Sequence, residues 1–367
     1  MERISPRWLA CVARAGLSAE QFAGIQALAP GPDAPPGIEP VRLAALGLTT
    51  RAVQRLFAPD ESLIDADLRW LERSGAALLA ASDAAYPALL RQSADAPAVL
   101  YVLGEVSALA EPQLAMVGSR SPTAGGRATA RAFAAWFANA GLGITSGLAS
   151  GIDTACHEGA LQAGGSTIAV LGCGLDTCYP RENAQLFARI RESGALVSEF
   201  PPGTGVRPAH FPQRNRLIAG LSLGTLVVEA ASRSGSLITA RMAGNAGREV
   251  FAIPSSIHNP VARGCHELIR QGAKLVECPE QVLVELKIPL SDQLLARSPT
   301  PPAGGVALDK EYKILLDALA FEPASVDTLI ERTGLNSESI ASMLLVLELD
   351  GHVAPHPGGR YSRMAGQ

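Results

Sequence analysis

Wherever a short apolar run ends between residues 115 and 240, glycine, hydroxyl residues and arginine follow it. Met116-Val117 leads into Gly118-Ser119-Arg120, and Gly125-Gly126 precedes the body of a helix. A strand, a glycine, a hydroxyl residue and a helix N-terminus make a phosphate cradle, to which Arg120 adds a forked, charge-assisted contact. The next run ends in Ser146-Gly147-Leu148-Ala149-Ser150-Gly151-Ile152-Asp153. Small residues there let a ligand approach closely, and Asp153 is placed to cap the following helix. His157 stands one turn further on, so an Asp–His pair is allowed, although a capping Asp and a hydrogen-bonded core His fit the spacing better. A third run ends in Gly172-Cys173-Gly174 and passes through Tyr179-Pro180-Arg181 into a helix. Phe211-Pro212-Gln213-Arg214-Asn215-Arg216 supplies two arginines around an Asn amide, an inventory suited to phosphates and base edges. Ser232-Arg233-Ser234-Gly235-Ser236-Leu237-Ile238-Thr239 forms a further anion nest at a helix start. None of these strand ends brings a nucleophile or an acid/base pair with a positioned partner, so the residues speak for binding phosphates rather than cleaving them. The dinucleotide fingerprint GxGxxG, the P-loop and the GxSxG elbow are all missing.

The elements that position these residues are legible as period and punctuation. Strands are expected at Leu114–Val117, Gly143–Thr145, Thr167–Leu171, Leu196–Ser198, Thr225–Val228, Val250–Ile253 and Lys274–Val276. Helices are expected over Arg127–Ala140, Asp153–Ala163, Asn183–Glu192 and Leu237–Ala246. Continuous apolar strands alternating with helices mean a mostly parallel sheet covered on both faces, a doubly wound, Rossmann-like α/β domain. Ligands of such sheets lie outside the carboxyl ends of the strands.

On either side the pattern changes. Residues 1–85 read as a small helical domain, 86–287 as the α/β domain, 288–307 as a Pro/Gly-rich linker and 308–367 as a winged-helix-like domain. A second Pro/Gly-rich stretch, Pro30 to Pro40, reads as a loop. In the last domain, helices over Lys310–Leu319, Ser325–Arg332 and Ser337–Leu349 precede a wing around Gly358-Gly359. The third of these helices carries Glu338 and Glu348 and no Lys or Arg, so phosphates would repel it, and a protein-contact or packing role is expected.

With 47% hydrophobic and 18% charged residues, the 367-residue chain is not disordered, and no apolar run is long enough to span a membrane. No export signal is visible, which makes the cytoplasm the expected location. The net charge is −4, yet residues 115–285 carry fifteen basic and twelve acidic side chains, and Arg207 to Arg248 holds six arginines against Glu229 alone. That is a confined anion-binding footprint. The six cysteines form no CxxC pair, and Cys173 and Cys178 lack zinc-ligand spacing, so neither metal nor cofactor is expected.

The segments GSR, SGLASGIDTACHEGAL, GGSTIAVLGCGLDTCYPREN, SEFPPGT, HFPQRNRLIAGLS, VVEAASRSGSLITARMAGNAGREVFAIP and GCHELIRQGAKLV together resemble the DprA/Smf family of DNA-processing proteins, in the family's order over about residues 86–285. The resemblance implies a SAM-like N-terminal module and a non-enzymatic, cytoplasmic protein that binds single-stranded DNA. It further implies that the protein protects incoming strands in natural transformation, loads the RecA recombinase onto them and dimerises through the α/β domain. By motif it places DNA contacts on Gly118, Ser119, Arg120, Arg181, Phe211, Arg214, Asn215, Arg216, Ser234, Gly235, Ser236 and Thr239, and Ser146 and Gly147 join them as the small residues that end the second run. Some relatives carry Lys where this chain has Ser166. If Arg120, Arg181, Arg214 and Arg216 each neutralise one phosphate, log K should fall against log salt with a slope of about −3. The enzyme alternative is a phosphoribohydrolase-like activity on the same fold, whose PGGxGTxxE motif is met only loosely by Gly224-Thr225-Leu226-Val227-Val228-Glu229. A third alternative is a transcription regulator acting through the C-terminal domain.

Overall fold

Apolar segments of four or five residues, each flanked by glycine or a turn, assemble into one nine-stranded sheet. The computed structural model describes residues 4–33, 38–289, 310–319 and 323–364. The strands are β1 (Ala77–Ala80), β2 (Val99–Gly104), β3 (Gln113–Val117), β4 (Gly143–Ser146), β5 (Thr167–Val170), β6 (Ala195–Ser198), β7 (Gly224–Val227), β8 (Glu249–Ala252) and β9 (Lys274–Leu275). Their order is β1-β2-β6-β5-β4-β3-β7-β8-β9. From β6 to β9 every pairing is parallel, while β1 and β2 add an antiparallel edge. The chain winds outward from β3 to β6, then crosses back to place β7 on the other side of β3. The switch point is therefore the crevice between the ends of β3 and β7.

Sequence and structure differ at the start of this domain. The sheet begins at Ala77, ahead of the boundary expected at residue 85, and β1 and β2 were not among the expected strands. They form an antiparallel pair joined through the short helix α6 (Ala88–Arg91), outside the strand–helix alternation that reveals the rest. The linker expected over 288–307 lies outside the described residues except for 288 and 289, as do residues 34–37 of the Pro30 to Pro40 stretch.

Two layers of helices cover the sheet. On one face α7 (Ala124–Asn139) and α8 (Ile152–Gln162) bury Phe133, Phe137, Ile152 and Cys156 against Leu114, Met116, Ile144 and Phe251. On the other, α10 (His210–Leu221), α11 (Ser236–Asn245) and α12 (Arg263–Arg270) bury Leu217, Ile218, Leu237 and Leu268 against Ala115, Val117, Val170 and Val227. Helix α9 (Ala184–Ser193) packs Leu186 and Ile190 beside Tyr101 and Leu196. The central strands β3 to β7 are buried along their whole length, which is what double coverage requires.

Five helices precede the sheet: α1 (Pro6–Ala15), α2 (Ala19–Leu28), α3 (Pro40–Ala45), α4 (Thr50–Phe57) and α5 (Glu61–Ser74). Asp60 caps α5 through Ser62 and Leu63 N–H, and Gly75 ends it at φ +71°. Their core of Trp8, Val12, Phe22 and Ile64 is continuous with Ala80 and Val99 of the antiparallel edge. After the short α13 (Pro279–Glu285), the C-terminal region contains α14 (Lys310–Leu319), α15 (Val326–Thr333) and α16 (Ser337–Leu349), with a three-stranded sheet of β10 (Ala324–Ser325), β12 (Arg360–Arg363) and β11 (Val353–His356). The order is that of a winged helix. No helix among the described residues is long and apolar enough to cross a membrane.

Candidate nucleic-acid interface

The turns after β3, β4, β5 and β7 meet at one edge of the sheet and are stapled to one another. Ile152 N–H donates to the Ser119 carbonyl (3.1 Å), which fixes the start of α8 against the turn after β3. Gly151 takes φ +88° there, and an added Cβ would come within 2.4 Å of that carbonyl oxygen. Ser150 Oγ donates to Glu182 (2.7 Å), and Asn183 Nδ2 donates to the carbonyl of Leu148 (3.0 Å) and to Thr154 Oγ1 (2.9 Å). Leu148 itself has φ +57°, a left-handed conformation rare for a branched residue, and Asn183 holds its carbonyl in place.

Beneath these turns lies a buried layer of charge. The Arg214 guanidinium is only 4% exposed and donates to the carbonyls of Gly147 (2.7 Å) and Val170. A Cβ on Gly147 would come within 2.6 Å of it, so the small residue at this position admits Arg214 rather than a ligand. Asp153 faces the same cation, and its carboxylate accepts from Gly147 N–H (3.1 Å) and Ala149 N–H (3.3 Å). It therefore braces the loop before α8 instead of capping that helix, whose N-cap is Gly151. Burial pushes the Asp153 carboxyl upward against the pull of Arg214, and lowers Arg214 to about 10. His157 makes no bond to Asp153; its Nδ1 meets Thr167 Oγ1 at 2.7 Å, and burial drives it down to about 3. Asp153 is thus set against arginine, and His157 is the hydrogen-bonded core histidine that the spacing favoured.

The cradle expected at the start of α7 is already filled. Glu229, at the end of β7, accepts from Thr123 N–H (2.9 Å) and Thr123 Oγ1 (2.6 Å), and its carboxylate lies against Gly126. A protein carboxylate thus satisfies the helix N-terminus where a phosphate was anticipated. The same bonds occupy the glutamate that the hydrolase alternative would need.

Above that layer the surface is cationic and aromatic. Arg120 is exposed, with its guanidinium 5.4 Å from the centre of the Phe211 ring. Tyr179, 43% exposed, lies 5.7 Å from Phe211 on the other side of the turn. Arg181 and Arg233 are exposed on the loops after β5 and β7. An Arg over a ring and a second ring beside it have the makings of a stacking platform, next to exposed cations.

Family comparison agrees with this architecture. The model for DNA recombination-mediator protein A matches residues 77–287, starting where β1 starts, and the model for the DprA winged helix domain matches 296–359. The chain belongs to the DNA recombination-mediator protein A family. Protein Smf of Escherichia coli K12 is 45% identical over 328 residues, covering 88% of this chain and 87% of that protein. DNA processing protein DprA of Streptococcus pneumoniae R6 is 47% identical over 205 residues, covering 56% of this chain and 72% of that protein. The X-ray structure of pneumococcal DprA matches with a TM-score of 0.68 at 36% identity, over 77% of this chain and 99% of that one. A structure of Helicobacter pylori DNA processing protein A, described for its single-stranded DNA binding mode, matches with a TM-score of 0.53 at 28% identity, over 58% of this chain and 95% of that one.

On this DprA scaffold the fourteen residues singled out from sequence separate by depth. Gly118, Ser119, Arg120, Arg181, Phe211, Asn215, Ser234 and Gly235 lie at or near the surface of the edge. Asn215 reaches across to the Gly235 carbonyl (3.4 Å), joining α10 to the turn after β7. Ser146, Gly147, Arg214, Ser236 and Thr239 are buried; Ser146 Oγ is spent on the Met116 carbonyl (2.6 Å). Arg216 is ion-paired with Glu199 and donates to the Asp95 carbonyl, so its charge is compensated within the protein. Both arginines expected to meet phosphates are thus spent within the protein, Arg214 by burial and Arg216 by pairing. Ser166, where some relatives carry Lys, donates to Glu111 instead. Asn183 and the closing role of Glu229 escaped the sequence reading, which took in Tyr179 and Arg233 within their segments without assigning either a contact. Tyr179 was findable, because it precedes Arg181 on a strand-end loop already assigned to the site. Among the described residues no group of His, Cys, Asp or Glu is arranged to hold a metal ion.

Proposed function

We propose that this chain is a non-enzymatic single-stranded DNA-binding protein whose site is the exposed edge formed by Arg120, Phe211, Tyr179, Arg181 and Arg233. The observation that carries the reading is the Arg120–Phe211–Tyr179 cluster, a stacking platform beside free cations at the switch point of a doubly wound sheet. The description of the Helicobacter pylori relative by its single-stranded DNA binding supports it from outside. A platform of ring faces and phosphate contacts gives weak sequence preference, which suits a protein that must accept any incoming strand. In that role the protein protects single strands during natural transformation and recombination in the cytoplasm and hands them to the RecA recombinase.

It acts as a homodimer through the α/β domain, for which exposed Leu275 and Val284 near the β9 edge supply apolar surface. The winged-helix domain contacts protein rather than a duplex: α16 carries no cation and exposes Leu345, Val346 and Leu349. Fluorescence anisotropy of labelled oligo-dT and a matched duplex, across a salt series, tests the central claim. Preference for the single strand that Arg120→Ala removes supports it; duplex preference, or binding indifferent to that change, overturns it.

A further inference from the structure

A second cleft, of about 680 Å³, opens between the N-terminal helices and the segment that joins β6 to α10. Arg14, Arg51 and Arg55 line it from the helical side, and Arg207 and His210 from the α/β side. Its carboxylates are already engaged: Asp60 caps α5, and Glu199 is paired with Arg216. Arg14 is likewise neutralised, by two bonds of 2.6 Å to Asp67. Arg51, Arg55 and Arg207 are exposed, and no ion pair within the described residues offsets them. Crowding is felt at Arg55, which burial lowers first and the nearby Arg51 and Arg14 lower further.

Two features suit an extended polyanion here. The floor is a stacked pair, Phe200 and His210, 4.2 Å apart and 19° from parallel. The first turn of α10 also carries no acidic residue, so it sets no like charge against a phosphate. That same turn joins the two sites, since His210 lines the cleft while its neighbour Phe211 lies under Arg120.

We propose that the cleft is a second polynucleotide subsite, holding phosphates of the same single strand whose neighbouring nucleotides lie on Arg120, Phe211 and Tyr179. The proposal rests on the reading of the sheet edge as a single-stranded DNA site. It assigns the N-terminal helices a direct part in binding, and it makes affinity depend on strand length.

The test compares oligo-dT of about 6 and about 20 nucleotides on the full-length protein, across a salt series. Arg51→Ala/Arg207→Ala removes two exposed cations that support no packing, and its melting temperature should match wild type. For the long strand the double variant should bind about tenfold more weakly, with a salt slope shallower by about 1.4; the short strand should not notice. Arg51→Lys/Arg207→Lys should restore the slope. Equal affinity of double variant and wild type for both lengths, with Arg120→Ala still abolishing binding, overturns the cleft and leaves the edge intact. Loss of neither strand on Arg120→Ala overturns the edge reading instead, and the cleft with it. Binding of thymidine monophosphate that the double variant abolishes, with both oligonucleotides unaffected, would make the cleft a free-nucleotide site and refute the strand path.

Discussion

Arg214 and Arg120 sit at the same edge of the same sheet and do opposite work. Arg214 points inward from α10, spends its donors on the carbonyls of Gly147 and Val170, and faces Asp153. Arg120 points outward from the turn after β3, over the ring of Phe211, with no ion pair among the described residues. The inner layer builds the shape of the edge, and the outer layer is the one we propose a strand meets. An arginine-rich strand end is thus two populations, and only the uncompensated one can release counterions from a nucleic acid.

The comparison breaks first at Arg214. Arg214→Met is expected to cost about 3 kcal/mol or more in stability, because it leaves Asp153 buried without its cation. Urea denaturation at neutral pH reads this directly. Arg120→Ala in the same experiment should leave the midpoint where it was. If Arg214→Met were as stable as wild type and lost only DNA affinity, the division into layers would fail.

Next comes pH. His157 is buried beside Thr167, with its value driven from 6.5 to about 3. The unfolded chain then binds more protons than the folded one between those limits, so this contribution is complete above about pH 6.5 and is lost as pH falls toward 3. At about pH 5 the loss should be on the order of 2 kcal/mol relative to neutral pH. His157→Gln should flatten that part of the profile, as measured by the difference in denaturation midpoint between the two pH values.

Much of this was readable from sequence, and the failures have physical causes. The strand–helix alternation from Leu114 onward located every parallel strand, because double coverage makes each one a short apolar run. It passed over β1 and β2, whose antiparallel pairing is joined by a single helical turn and leaves no alternation to detect. The misplacement of Arg214 has a different origin. Leu217, Ile218 and Leu221 follow it at spacings of three, four and seven, so helical period alone puts Arg214 on the buried face of α10. Residue type was allowed to outweigh position. Glu229 was unreadable in kind: nothing local says that a carboxylate at the end of β7 will close the N-terminus of α7, which lies more than one hundred residues earlier.

A smaller effect sharpens the outer layer. Phe211→Ala removes the ring between Arg120 and Tyr179, and should weaken oligo-dT binding about tenfold with little change in stability. A double-mutant cycle with Arg120→Ala should show coupling, since the cation loses its seat when the ring goes. Additive losses in anisotropy titrations would mean that the two side chains bind independently and are not one platform.

The smallest expected effect is the most discriminating. Counting Arg120, Arg181, Arg214 and Arg216 gives a salt slope of about −3; counting only exposed Arg120, Arg181 and Arg233 gives about −2 on a strand short enough to stay on the edge. Arg216→Ala should therefore leave that slope unchanged, although Glu199 loses its partner and the fold loses some stability. Arg181→Ala and Arg233→Ala should each reduce it by about 0.7. A fall of the same size in Arg216→Ala would mean that its ion pair with Glu199 opens to receive a phosphate, and that the boundary between the two layers moves when DNA binds.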